Sequence, residues 1–271
     1  MTRKSIPYWH VDAFASKPFS GNQAAVVNVD RWPDDATMVA IAEENMFAET
    51  AFLVETRDGD ADYALRWFTP TLEVALCGHA TLASGHVLLS QNAARDVVTF
   101  STRKAGILEV RRADAGYELA LPAIPTEKAD PADHAEAIAL LGAEPKEVWS
   151  NPDGYHIFAY RDAAAIRALD PDLRGLAKLG DAQFICTAPG RETDVISRNF
   201  VPGGGVDEDS FTGSAHAVLT PFWTERLGRD SFTAFQASKR GGHATCRLEG
   251  DRAILSGDCV TVVEGRFYLE G

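Results

Sequence analysis

Three consecutive acids, Asp207, Glu208 and Asp209, stand a few residues ahead of Thr212-Gly-Ser214, and the apolar run Ala217-Val-Leu-Thr-Pro-Phe-Trp223 follows. Small residues at a helix start leave the first backbone N–H groups free to face a ligand, and those groups together with the helix dipole favour a bound anion. A carboxylate just before such a start competes for the same N–H groups unless it works as an acid or base. Earlier in the chain, Phe68-Thr-Pro70 leads through a loop into Cys77-Gly-His-Ala80 and a second apolar run. Both stretches follow one plan: Phe-x-Pro, a loop, Gly-(His/Ser)-Ala, then an apolar helix. The repetition points to two related lobes whose helix starts face one ligand.

Other groups that could do chemistry lie around these starts. Glu49 sits among Phe47, Ala48, Thr50, Ala51 and Phe52, an apolar setting of the kind that raises a carboxyl pKa and suits a proton shuttle. A solvated glutamate at a helix end is the plainer alternative. His79, directly after Gly78, could bind substrate or move protons, or pack as a structural histidine. Of the three acids one is expected to point inward, and Asp209 is the most telling; Asp207 and Glu208 are expected to face water or cap. Ser214 could donate to an anion or merely cap the helix. Cys77, at a helix start, would have a lowered pKa and could take a proton from carbon. A two-thiol racemase would need a second cysteine, where the chain has Ser210, Phe211 and Thr212. The spacing of Cys77, His79, His86 and His216 matches no usual zinc pattern, so no metal is expected. Arg240-Gly-Gly242 hints at carboxylate binding. Neither a Walker loop at Gly203-Gly-Gly205, nor a Rossmann fingerprint, nor a serine nucleophile elbow is present.

The elements that must position these groups read mostly as strands. Strands are expected over residues 8–14, 24–29, 49–54, 63–68, 97–101, 106–111 and 117–121, with turns at 17–22 and at Asp58-Gly59. A helix capped from residues 32–35 covers 36–44, and 80–89 is apolar nearly all round, as an enclosed helix would be. Pro122-Ala-Ile-Pro125 marks a boundary between a lobe of residues 1–122 and one of 123–271, whose tail could pack back on the first. In the second lobe helices are expected over 135–141, over 172–179 and from Gly213 to a cap at Gly228. Strands are expected over 147–149, 155–160, 183–187, 195–200, 232–238, 243–248, 253–256 and 259–263. Strands outnumber helices without regular alternation, which is α+β rather than a doubly wound sheet.

A chain of 271 residues with 45% hydrophobic and 24% charged residues has room for two modest domains of ordinary globular composition. The formal charge of -13 argues against nucleic acid as a partner, since phosphate backbones attract an excess of Lys and Arg. The first ten residues lack a signal-peptide core and no run approaches a bilayer span, so no membrane partner is expected. Four scattered cysteines fit free thiols in a reducing cytoplasm.

Taken together, Val11-Asp-Ala-Phe14, Pro18-Phe-Ser-Gly-Asn22, Glu49-Thr-Ala-Phe52, Arg66-Trp-Phe-Thr-Pro70, Glu73-Val-Ala-Leu-Cys-Gly-His-Ala80, Glu208-Asp-Ser-Phe-Thr-Gly-Ser-Ala-His216 and Gln236-Ala-Ser-Lys-Arg-Gly-Gly242 resemble the phenazine-biosynthesis PhzF-like family, a branch of the diaminopimelate-epimerase-like fold. The resemblance runs nearly end to end. It implies two pseudo-symmetric lobes, each a curled, barrel-like mixed β-sheet around a central apolar helix, with the active site between them and commonly a homodimer. It implies isomerisation by proton transfer on a small carboxylate-bearing metabolite, without a cofactor. By motif the family's acid/base glutamate falls on Glu49, and its active-site histidine, aspartate and serine on His79, Asp209 and Ser214. Substrate contacts are expected at the helix starts, Gly78 and Ala80 in one and Gly213 and Ala215 in the other. The chain departs from the family's usual Glu-Asp-Pro-Val-Thr-Gly at Ser210 and Phe211, which bears on pocket shape and substrate. A racemase using Cys77 and a binding protein that has lost turnover are the competing expectations.

Overall fold

A computed structural model describes residues 4–57 and 59–269; the turn expected at Asp58 and the first three residues lie outside the described residues. The chain divides into two compact units, one running to Leu121 and resuming at Ser256, the other spanning Pro122–Leu255. Both are mixed α+β.

The first unit contains β1 (Lys4–Ala13), β2 (Asn22–Asn28), α1 (Asp35–Asn45), β3 (Glu49–Glu55), β4 (Tyr63–Phe68), β5 (Glu73–Val74), α2 (Gly78–Ser90), β6 (Val97–Thr102), β7 (Ile107–Arg112) and β8 (Tyr117–Pro122). The second contains β9 (Glu127–Ala129), α3 (Ala135–Leu141), β10 (Glu147–Ser150), β11 (Tyr155–Ala159), α4 (Ala163–Ala168), α5 (Leu173–Ala177), β12 (Gln183–Pro189), β13 (Val195–Val201), β14 (Val206–Glu208), α6 (Gly213–Leu227), β15 (Ser231–Gln236), β16 (Gly242–Glu249) and most of β17 (Arg252–Gly257). The last strand, β18 (Cys259–Leu269), pairs antiparallel with β1 in the first unit. It runs well past the expected end at residue 263. The loop expected to carry Asp207 and Glu208 is strand β14, held against Phe200 and Val201.

The two units repeat one pairing scheme. In the first, β2 runs parallel to β3, β3 antiparallel to β4, β4 antiparallel to β5 and parallel to β6, and β6 antiparallel to β7. In the second, β11 runs parallel to β12, β12 antiparallel to β13, β13 antiparallel to β14 and parallel to β15, and β15 antiparallel to β16. The register matches as well: Thr50 faces Phe68 as Phe184 faces Phe200, so Glu49 and Gln183 occupy equivalent strand starts. A parallel neighbour can be reached only by a crossover; α2 carries the chain from β4 to β6, and α6 carries it from β13 to β15.

Both crossover helices are enclosed. In α2 the run from Gly78 to Gly85 is buried on every face, and a Cβ on Gly85 would overlap Val110 of β7, so only glycine lets helix and sheet approach this closely. In α6, Pro221 lies inside the helix and lacks the N–H that would bond the Ala217 carbonyl. That carbonyl instead accepts from Ile124 N–H at 3.2 Å, so the proline leaves no orphan.

One further device is duplicated. Arg66 forks onto Glu73, Nε to Oε1 at 2.8 Å and Nη2 to Oε2 at 2.6 Å, with its guanidinium 4.9 Å from the Phe68 ring centre. Arg198 forks onto Glu208, Nε to Oε1 at 2.7 Å and Nη2 to Oε2 at 3.0 Å, with its guanidinium 4.8 Å from the Phe200 ring centre. Each fork ties the strand before a crossover to the segment that leads into it. A two-pronged Arg–carboxylate bond fixes orientation as well as distance, so each helix start is held in place. Glu208 therefore does not face water, contrary to the sequence expectation.

Candidate active site

In the first unit Glu49 opens β3 and His79 is the second residue of α2. Their side chains meet, Glu49 Oε2 lying 3.1 Å from His79 Nε2. The approach is too oblique for a straight hydrogen bond, so Oε2 is buried without a well-formed one. The opposite ring nitrogen, Nδ1, lies 3.2 Å from Asn22 Nδ2. The Asn22 amide serves either ring state: Nδ2 donates to an unprotonated Nδ1, and a half-turn presents Oδ1 to a protonated one.

Burial by itself disfavours a charged His79, but the acidic neighbours Cys77 and Glu49 outweigh it and hold the ring well above its ordinary pKa. Burial, with Glu49 adding to it, pushes the Cys77 thiol up to about 11. The helix start was expected to lower this pKa, and the structure reverses that expectation because a thiolate here would lie in a dry site facing a carboxylate. With Cys77 a thiol at neutral pH, the charge that remains to support the imidazolium is that of Glu49. The site is thus a histidine drawn toward its charged form by Glu49, flanked by a thiol that burial keeps protonated.

Glu49, Cys77 and His79 place ligand-type atoms within 4.8 Å of one another, which raises the question of a metal ion. Cys77 Sγ is nearly equidistant from the two ring nitrogens, 3.6 Å from Nδ1 and 3.9 Å from Nε2. It therefore lies beside the ring, off the lone-pair axis of either nitrogen. Zinc needs ~2.0–2.1 Å to an imidazole nitrogen along that axis and ~2.3 Å to sulfur. No single point meets both, and the three side chains as arranged do not fit an ion. His86 takes no part: its ring nitrogens meet Tyr117 and Thr261 hydroxyls, and burial pushes its pKa down to about 4.

In the second unit Asp209 precedes α6 and Ser214 is the helix's second residue. Asp209 Oδ2 accepts from Thr212 Oγ1 at 2.6 Å, while Thr212 N–H goes to Gln236 Oε1 at 2.9 Å. Gln236 is fully buried and also donates to the Asp209 carbonyl at 2.8 Å. Ser214 Oγ accepts from Gln183 Nε2 at 3.3 Å. Gly213 and Ala215 are buried in the first turn, as Gly78 and Ala80 are in α2. By principle the N–H groups of these first turns have no acceptor inside their helix.

Phe211, one of the departures from the family pattern, turns into the core. Its ring stacks on His216 at 4.2 Å and packs over Gly242, where a Cβ would collide with it. The bulk expected to alter the pocket is thus spent on packing. Arg240 sits in the turn between β15 and β16, beside Gly241 with its φ of +68°. Gln183 and Asn199 lie outside every motif of the sequence, while Asn22 and Gln236 lie within motifs that give them no role. The equivalence of Gln183 with Glu49 was latent in the repeated Phe-x-Pro plan, but only strand register reveals it.

Comparison with known proteins bears on the fold and the family. The family model described as phenazine biosynthesis-like protein (PhzC-PhzF) matches residues 11–265. An uncharacterized isomerase of Pseudomonas aeruginosa is 44% identical over 97% of this chain and 99% of its own. The crystal structure of a phenazine biosynthesis protein of the PhzF family from Enterococcus faecalis superposes with a TM-score of 0.89 at 38% identity, covering 98% of this chain and 100% of that one. A predicted epimerase from Pseudomonas aeruginosa, 23% identical with a TM-score of 0.74 over 97% of this chain and 99% of its own, shares the fold. With the duplicated crossover architecture, the paired Glu49 and His79, and matches that span both chains, this protein belongs to the PhzC-PhzF family of phenazine biosynthesis-like proteins and is an isomerase of PhzF type.

Proposed function

We propose that this isomerase acts without a cofactor on a small carboxylate-bearing metabolite by general acid/base proton transfer. Glu49 carries the reaction. Its carboxylate removes a proton from a carbon next to an unsaturated or carbonyl system, becoming a carboxylic acid, and the proton returns to another carbon of the same conjugated system. The electron pair left by the proton is delocalised in between, and N–H donors with the His79 imidazolium stabilise the charge. Asp209 is the second carboxyl group of the reading. Ser214 with the first-turn N–H groups around Gly213 and Ala215, and those around Gly78 and Ala80, are donors suited to a substrate carboxylate.

The observation that supports this most is the buried Glu49 Oε2, 3.1 Å from His79 Nε2 and without a well-formed hydrogen bond. An oxygen kept out of water, with His79 beside it but no straight hydrogen bond on it, keeps a lone pair for a substrate proton. A positioned acid or base contributes ~10²–10⁴-fold, and preorganised donors add a term of similar size. A racemase based on Cys77 is disfavoured by a thiol pKa pushed up to about 11 by burial and by Glu49. The same reading places the enzyme in the cytoplasm as a homodimer. No described helix is long and apolar enough to cross a membrane, and all four cysteines are free.

The test is incubation with a panel of small cyclic and amino carboxylates in heavy water, followed by mass spectrometry. Deuterium entering carbon identifies substrate and reaction class together. Ligand-induced thermal stabilisation with no exchange into any bound carboxylate would instead mark a binding protein.

A further inference from the structure

The polar side chains around the start of α6 form one connected set whose donor directions can be worked out atom by atom. An ionised carboxylate only accepts, so the 2.6 Å contact between Thr212 Oγ1 and Asp209 Oδ2 requires the threonine hydroxyl to donate. With its hydrogen spent, Thr212 Oγ1 must accept from Asn199 at 3.0 Å, which obliges Asn199 to present Nδ2. The second hydrogen of that same Nδ2 goes to Gln183 Oε1 at 3.0 Å. With its carbonyl engaged, Gln183 must turn Nε2 toward Ser214 Oγ, 3.3 Å away. Ser214 therefore accepts from Gln183, and its own hydroxyl hydrogen has no acceptor among the described residues. Asn199 is 1% exposed, so water does not compete for its amide.

We propose that Gln183 and Asn199 are positioning residues that transmit the charge of Asp209 to Ser214 and fix its hydroxyl as a donor for an anionic group of the substrate. This deepens the proposed function and rests on it for the identity of the ligand class. The strand register adds an independent argument. Gln183 occupies in β12 the place that Glu49 occupies in β3, and Ser214 the place of His79 in its helix. Where the first unit has a titratable pair, the second has a neutral amide and hydroxyl. The repeat has thus been divided into one half that moves protons and one that hands out a hydrogen-bond donor. An amide at residue 183 cannot exchange protons in the working pH range, so it sets direction without titrating.

Two measurements test this. Neutron diffraction from crystals of the wild-type protein exchanged into heavy water reads donor direction without any ligand. The expected map has a Gln183 Nε2 deuteron aimed at Ser214 Oγ and the Ser214 deuteron aimed away from Gln183. A Ser214 deuteron aimed at Gln183 overturns the proposal. The second is a double-mutant cycle on binding of benzoate and anthranilate as probe carboxylates, by calorimetry. Gln183→Met keeps the side-chain length and is expected to weaken binding about 5- to 10-fold in the wild-type background and less than about 2-fold in Ser214→Ala, since it acts through the serine. Equal losses in both backgrounds overturn it. Failure of the wild-type protein to bind any carboxylate counts against the proposed function, and the neutron map still decides the hydrogen-bond relay.

Discussion

His216 offers a test of the second unit that needs no substrate. It lies in the first turn of α6 at 0% exposure, with Nδ1–H donating to the Thr212 carbonyl at 2.8 Å, its face stacked on Phe211, and Nε2 buried without a partner. Burial, only partly opposed by the bond to Thr212, pushes its pKa from 6.5 down to about 4. An unfolded chain therefore takes up this proton near pH 6.5 while the folded one refuses it until about pH 4. The unfolded state binds more protons in that window, so stability falls as pH falls. The contribution is complete above 6.5 and is lost progressively down to about 4. At about 1.4 kcal/mol per pH unit the whole window is worth about 3 kcal/mol.

The variant His216→Gln keeps an amide N–H that can reach the Thr212 carbonyl and does not titrate. Urea unfolding of both proteins, followed by tryptophan fluorescence from about pH 7 to about pH 4.5, yields the difference in unfolding free energy at each pH. Groups that titrate alike in both proteins, His86 among them, cancel in this difference. The variant should be the less stable near neutrality and gain on wild type by about 2–3 kcal/mol across the range. A difference that stays level with pH would show that the folded chain accepts the proton as readily as the unfolded one, and would refute the argument from burial.

Glu49→Gln should lower turnover of an identified substrate by ~10²–10⁴-fold while leaving thermal unfolding near wild type; near-normal turnover would remove Glu49 from the mechanism. In the same variant the His79 ring, followed by NMR, should titrate below its ordinary value, because burial then acts without the carboxylate that opposed it. In wild type the raised pKa makes His79 stabilising below about pH 6.5, and that contribution should disappear as pH rises through its folded value. Cys77→Ser should retain turnover within about tenfold and thiol reagents should react slowly, since the buried thiol has a pKa pushed up to about 11; rapid inactivation would favour a thiol base. Gly85→Ala should destabilise the first unit by about 1–3 kcal/mol in thermal unfolding, because the added methyl meets Val110; a stabilised variant would mean that α2 can lift from β7.

Much of this architecture is legible in residue order because the determinants are local. The crossover helices are apolar nearly all round, which only enclosure explains. Glycine and small residues mark their starts, and alternating strands with turn residues mark the rest. Glu49 opens a strand, and His79, Asp209 and Ser214 stand in or just before the crossover-helix starts, so short motifs mark all four as candidates. Residue order likewise pointed to two related halves, through the repeated Phe-x-Pro and Gly-(His/Ser)-Ala pattern.

What residue order could not decide were properties that depend on neighbours remote in sequence. The Cys77 pKa moved opposite to the helix-start expectation because the thiol is buried and Glu49, far away in sequence, faces it. Glu208 looked like a solvated member of an acidic run until pairing brought Arg198 beneath it. Phe211 looked like pocket bulk until its ring was seen to stack on His216. Gln183 carried no motif at all; its place opposite Ser214 comes from strand register, which is set across the sheet rather than along the chain. Local patterns dictate which elements form and where they stop. Dielectric surroundings, charge partners and hydrogen-bond direction are sums over the folded surroundings, and those exist only once the chain has closed around them.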